Sequence, residues 1–221
     1  AIVAGARGST SSPLPQVSTM SLGPPLSVAT SGRPAADAVA ANLRTVETVI
    51  QDDPRLLPEP RTIRPYVRVV LDSRLRMPTH SRLVRTARRH PLILVCVSAP
   101  AGRRRELEAQ GAKVIPVRGQ RGRVSLPAVL RALFAQGILS LIVEGGSEVM
   151  GSFVRERLFD EIVMFRAPAI LGGRGSRGVV GGDNPLSLKE SVAMARARRE
   201  DSATLRYGLG TSPGLEVEVY E

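Results

Sequence analysis

The chain has 221 residues, 43% of them hydrophobic and only 3% aromatic, with no tryptophan, one cysteine and a net charge of +11. One cysteine excludes an internal disulfide, two histidines and one cysteine leave no soft-metal cluster, and no apolar run reaches the about 20 residues that span a bilayer. The first residues lack the basic-then-apolar pattern of a secretory signal, so a cytoplasmic, metal-free globular protein is expected. The positive charge favours anionic partners such as phosphates and nucleotides, or it reflects a generally arginine-rich surface. No aromatics interleave the basic clusters Arg82–Arg89, Arg103–Arg105 and Arg118–Arg123, which disfavours a base-stacking nucleic-acid platform.

Residues 1–34 are rich in Ser, Gly, Pro and Thr and read as mostly irregular, with short strands around Val17–Leu22 and Leu26–Ala29. Asp37–Val49 mixes helix with strand, and Pro54 ends any helix before the polar turn Asp52-Asp53-Pro54-Arg55-Leu56. Tyr66–Leu71 reads as a strand and Ser81–His90 as a short basic connection. Leu92–Val97 is a continuous apolar run, as in a strand buried on both faces, and makes Cys96 a core residue. A helix over Gly102–Gln110 stops at Gly111, and a strand follows over Lys113–Val117. Ser125 and Pro127 open a helix that runs to Gln136, before Gly137. A strand over Ile138–Val143 precedes a helix from about Glu148 to Arg157. Asp160–Ala169 and Leu215–Tyr220 complete the strands, the last as an antiparallel addition. Strand and helix alternate from residue 66 to 171, which implies an α/β protein with a central, mostly parallel sheet flanked by helices.

Ligands of open α/β sheets bind past the carboxyl ends of strands, at helix N-termini. Glu144-Gly145-Gly146-Ser147 stands at such a junction. It is either a phosphate cradle, whose glycines let backbone N–H groups approach an anion, or only a tight turn. A carboxylate beside such a site needs a donor, so Glu144 is expected to hold a ribose hydroxyl, a backbone amide or a substrate group. Gly172-Gly173 follows another apolar strand and points to the same sheet edge. Ser73, Arg74 and Arg76, just past a strand, suit a 2′-phosphate or form a solvated basic loop. Asp52-Asp53 is a turn or a catalytic pair. No G-x-G-x-x-G follows a first strand, so a standard dinucleotide fold is disfavoured.

Taken in order, these segments resemble the riboflavin-pathway reductases. Arg64–Pro78 resembles their P-x-R-V-V-L-D-S-x-L-R-x-P, and Thr48–Leu56 their T-V-x-x-D-D-P-x-L. Glu144–Gly146 matches E-G-G, Phe153–Glu161 resembles F-x-x-x-x-L-V-D-E, and Ala167–Gly173 resembles A-P-x-x-x-G-G. The resemblance implies one dihydrofolate reductase-like domain over residues 35–221 that uses NADPH to reduce the ribosyl group of a 5-phosphoribosylamino-pyrimidine to ribityl. In that chemistry the ribosylamine opens to an imine, and hydride from the nicotinamide reaches C1′. By the same resemblance Gly145, Gly146 and Ser147 cradle the pyrophosphate, with Gly172 and Gly173 also on the cofactor. Ser73 and Arg76 lie near the 2′-phosphate, and Thr48 lies near the nicotinamide. Asp52 and Glu144 are the catalytic residues and face the substrate and the cofactor ribose region, while Asp53, Arg55 and Arg61 bind the substrate. A homodimer is implied in the same way.

The chain departs from the family where S-x-D-G-K is replaced by Ser21-Leu22-Gly23-Pro24-Pro25, and where the glycines of V-G-x-G-T-V are missing before Val49. Both departures fall on the substrate and nicotinamide side. A catalytically inactive nucleotide-binding homologue of the same fold is therefore the alternative reading, followed by a basic nucleic-acid-binding protein.

Overall fold

The computed structural model describes residues 2–5, 39–57, 66–166, 178–183, 191–192, 197–200 and 216–220. Its chief feature is one nine-stranded sheet. The strands are β1 (Ile2–Gly5), β2 (Val39–Thr45), β3 (Tyr66–Leu71), β4 (Leu92–Cys96), β5 (Lys113–Pro116), β8 (Ile138–Val143), β9 (Glu161–Arg166), β10 (Ala197–Glu200) and β11 (Glu216–Tyr220). They lie in the order β10-β11-β9-β1-β8-β2-β3-β4-β5. β2 pairs in parallel with both β3 and β8, and β4 and β5 continue the parallel half. β1 and β11 run against their neighbours, so seven of the nine strands point the same way. The mostly parallel sheet and the antiparallel last strand are thus as expected.

Helices cover both faces. On one side lie α1 (Val46–Asp52), α2 (Arg82–Arg85) and α3 (Ala101–Ala109), and on the other α4 (Leu126–Phe134) and α5 (Ser147–Arg155). The buried residues of α4, Leu126, Val129, Leu130 and Leu133, recur at helical spacing and pack on Leu43, Val69 and Val143. All five residues of β4 are buried, because helices cover it on both sides. Cys96 is among them. Gly111 and Gly137 adopt φ of +98° and +77° after α3 and α4, the left-handed conformation a helix stop requires.

Three local differences have simple causes. Ser81 accepts a hydrogen bond from the Val84 N–H at 3.4 Å and caps the short helix α2 inside the expected basic connection. Arg121 and Gly122 take positive φ and turn the chain between β6 (Gly119–Gln120) and β7 (Arg123–Val124), a hairpin in a stretch read as solvated loop. Ile2–Gly5, in the stretch read as irregular, pairs with both β8 and β9. The strands expected at Val17–Leu22 and Leu26–Ala29 lie outside the described residues.

Arg68 is the largest fully buried side chain, in the middle of β3. Its guanidinium donates to the Thr86 hydroxyl at 2.8 Å and to the carbonyls of Leu83 at 3.3 Å, Arg55 at 3.4 Å and His90. Burial pushes its pKa down to about 10, so it stays charged at neutral pH. Replacement by Met strands those acceptors, and Arg68→Met is expected to lower unfolding free energy by about 2–4 kcal/mol in urea titrations. An unchanged midpoint would show that water replaces the guanidinium at no cost.

Candidate active site

The parallel strands place the site. From β2 the chain winds outward through β3 and β4 to β5, then returns to β8 on the other side of β2. The order therefore reverses between β2 and β8, and at such a switch point the connections part to leave a crevice at the carboxyl ends of the strands. Thr45 ends β2 there, and Glu144-Gly145-Gly146 leaves β8 beside it, with the Glu144 N–H donating to the Leu43 carbonyl at 3.1 Å.

Gly146 precedes α5, and no side chain caps that helix. Val149 and Met150 donate to the Gly146 carbonyl, whereas the amides of Ser147 and Glu148 have no acceptor within the helix. Gly146 has an unstrained φ of −57°, and a Cβ built there meets nothing within 4 Å. The Gly146 side of the helix start is therefore open, as an approach for an anion requires, whereas Gly181 stands against the Glu148 amide, since a Cβ on Gly181 would lie 3.0 Å from that nitrogen. The segment 178–183 lies against the same turn. The Gly181 N–H donates to the Ser147 carbonyl at 2.8 Å and the Gly182 N–H to the Glu148 carboxylate at 3.2 Å. A Cβ on Gly151 would sit 1.8 Å from the Gly181 carbonyl oxygen, so only glycine allows this approach.

The expected need of Glu144 for a donor is met by an unforeseen partner. The Arg44 guanidinium donates to Glu144 Oε2 at 2.6 Å, while Oε1 and Arg44 Nε are buried and unpaired. Farther back, Asn42 hydrogen-bonds Tyr66. Burial, and next the Glu144 charge, raise the Tyr66 phenol from its ordinary 10.0 to about 12. Nothing in the reading of the sequence singled out Arg44, Asn42 or Tyr66. The signal was the alternation Ala40, Asn42, Arg44, which puts polar groups on one face of a strand.

The other expected residues divide. The Thr48 hydroxyl is 3.2 Å from that of Thr45, in the first turn of α1 and next to the crevice. Ser73 follows β3 at the same sheet edge, and its carbonyl accepts from Val97 and Ser98. Arg76 pairs with Glu47 of α1, both exposed. Asp52, Asp53 and Arg55 lie at the far end of α1, about 10 Å along its axis from Thr45. Asp52 is exposed, Asp53 accepts from the Arg82 N–H at 2.8 Å, and the Arg55 carbonyl meets Arg68. The structure thus joins Glu144 to Gly145, Gly146 and Ser147 and sets the Asp52–Arg55 turn apart from them. Arg61, Gly172 and Gly173 lie outside the described residues.

Residues 33–203 match the family described as the RibD C-terminal domain. The chain belongs to the RibD C-terminal domain family. A 2,5-diamino-6-ribosylamino-4(3H)-pyrimidinone 5′-phosphate reductase of Methanothermobacter thermautotrophicus is 36% identical over 157 residues, which are 69% of this chain and 70% of that protein. The riboflavin biosynthesis protein RibD of Bacillus amyloliquefaciens is 32% identical over 144 residues, 65% of this chain and 38% of that protein. The chain thus spans about two fifths of the RibD proteins it matches first. The solved riboflavin biosynthesis reductase Rib7 of Saccharomyces cerevisiae superposes with a TM-score of 0.60 at 16% identity, covering 82% of this chain and 74% of that one. RibD C-terminal domains have a dihydrofolate reductase-like fold, and this chain shares it.

A phenol that keeps its proton in the folded state above its ordinary range contributes stability in full below about pH 10 and loses it as pH rises to about 12. Tyr66→Phe is therefore expected to lose stability less steeply than the wild type across that window in urea titrations, and to lack one late phenolate absorbance step. Equal slopes would place the Tyr66 phenol in water.

Proposed function

We propose that this chain is an NADPH-dependent reductase that converts the ribosyl group of a 5-phosphoribosylamino-pyrimidine to ribityl in riboflavin biosynthesis. The observation that carries the reading is the switch-point crevice, where the uncapped N-terminus of α5 and the open space at Gly146 stand beside Glu144. The names of the relatives support the substrate class.

The residues fit a dinucleotide. The Gly145-Gly146-Ser147 turn would hold its pyrophosphate, and Ser73 and Arg76 its 2′-phosphate. When bound, NADPH supplies hydride from C4 of its nicotinamide. The protein's part is to align two phosphorylated partners, exclude water and govern a proton. Glu144 is the carboxylate at the junction of cofactor and substrate, and Arg44 orients it. The remaining positive surface draws both anions inward. By the same likeness the enzyme is a cytoplasmic homodimer. Among the described residues no helix is long and apolar enough to cross a membrane.

Gly146→Val tests the reading without straining the fold, since its Cβ enters open space at an ordinary φ. The variant is expected to melt like the wild type and to bind NADPH at least about tenfold more weakly by nicotinamide fluorescence, because the branched side chain occupies the phosphate approach. Wild-type binding followed by loss of nicotinamide absorbance on adding the phosphoribosylamino-pyrimidine establishes the reductase. Binding without oxidation favours the inactive homologue, and no binding removes the cofactor assignment.

A further inference from the structure

The sheet has one unusual face. Six described side-chain atoms are buried without a hydrogen-bond partner: Asn42 Oδ1, Arg44 Nε, Arg68 Nε, Asp72 Oδ1, Ser140 Oγ and Glu144 Oε1. The register puts all six on the same face. Ala40 is level with Tyr66 and Ser140, and Asn42 with Arg68 and Ile142. Arg44 and Glu144 follow two places on, as does Asp72 after Val70. The opposite face of the same strands carries the apolar Ala41, Leu43, Leu141 and Val143 under α4 and α5.

An unsatisfied buried polar atom is costly, so native proteins hold few, and a row of them at a ligand crevice points to a partner that completes them. The row nearest the carboxyl edge offers a definite pattern. Glu144 Oε1 is an acceptor, Arg44 Nε–H is a donor, and Asn42 Oδ1 is an acceptor. Asn42 is only 3% exposed, and its Oδ1 is buried without a partner. Two acceptors, one of them charged, exclude a phosphate. They suit a ring that carries N–H or amino donors around a carbonyl acceptor, and two residues of strand, about 7 Å, match the width of such a substituted ring.

Resting on the reductase reading, we infer that Asn42 and Arg44 form with Glu144 the surface that reads the amide and amino edge of the substrate's pyrimidine. Arg44 has a double duty, since one guanidinium nitrogen orients Glu144 and another donates to the ring carbonyl. Asn42 accepts from a ring N–H or amino group, and so helps to choose between the deaminated and the 2,5-diamino base.

The test uses Asn42→Leu, which keeps the volume and removes the amide, and Arg44→Met, which keeps the stem and removes the donor. Calorimetry with 5,6-diaminouracil and with 2,5,6-triaminopyrimidin-4-one reads base binding directly, and steady-state kinetics read the phosphoribosylamino-pyrimidine. Each variant is expected to weaken base binding and raise KM by about tenfold or more, while the Kd for NADPH stays within about twofold. Asn42→Leu is also expected to change the ratio of affinities for the two bases. Wild-type affinity in a cooperatively melting variant overturns the inference, as does loss of NADPH in place of the base, or failure of the wild type to bind either base. Should Asn42→Leu not fold, Arg44→Met carries the same test. Failure of the reductase reading looks different: the wild type then leaves NADPH unbound or unoxidised, while the calorimetry still reports whether the row reads a pyrimidine.

Discussion

β2 hydrogen-bonds in parallel on both sides, and the rest of the molecule is arranged by that constraint. A strand so placed needs crossovers in two directions, and the helices of each direction must cover opposite faces. Hence α1, α2 and α3 share one side and α4 and α5 the other. The gap where the directions diverge is a consequence of winding, not of any particular ligand. What the sequence adds is the lining of that gap: an acid, two glycines and an arginine where an ordinary turn would do.

The two faces of the sheet are built on different terms. Under α4 and α5 the contacts are apolar throughout, mostly aliphatic with Phe153 among them, and residues of similar size and shape serve. Under α1–α3 the outer strands carry Leu92, Leu94 and Val114, but the centre carries Asn42, Arg68 and Ser140. A core that buries amides and guanidinium groups gives up stability it could have had from leucines. Such a concession is intelligible where binding later completes the hydrogen bonds.

Much of this was legible in the sequence, and the reason is local. Tyr66–Leu71 and Ile138–Val143 match the observed strands residue for residue, because buried strands of a parallel sheet are apolar runs, here broken only by Arg68 and Ser140 between the two ends. Gly111 and Gly137 marked helix ends because φ near +90° leaves little choice of residue. The E-G-G segment was legible for another reason, its place between an apolar strand and a helix. What escaped notice depends on register. Arg44 meets Glu144 across a strand pair separated by 100 positions, and no window of sequence contains both. The pairing of Ile2–Gly5 with β8 and β9 is likewise long-range and carries no local mark. The Asp52–Arg55 turn shows the converse. Its motif was plain, yet the length of α1 carries it away from Glu144.

Arg68 has one further consequence. Among the described residues its hydrogen-bond acceptors are carbonyl dipoles and a hydroxyl. Attraction to neutral dipoles inside the protein is scarcely screened by dissolved ions, whereas repulsion between exposed charges is. A chain with a net charge of +11 therefore gains from added salt at its surface and loses nothing at this corner. The molecule is fastened internally in a way suited to concentrated electrolyte, even though its outer surface is crowded with like charge.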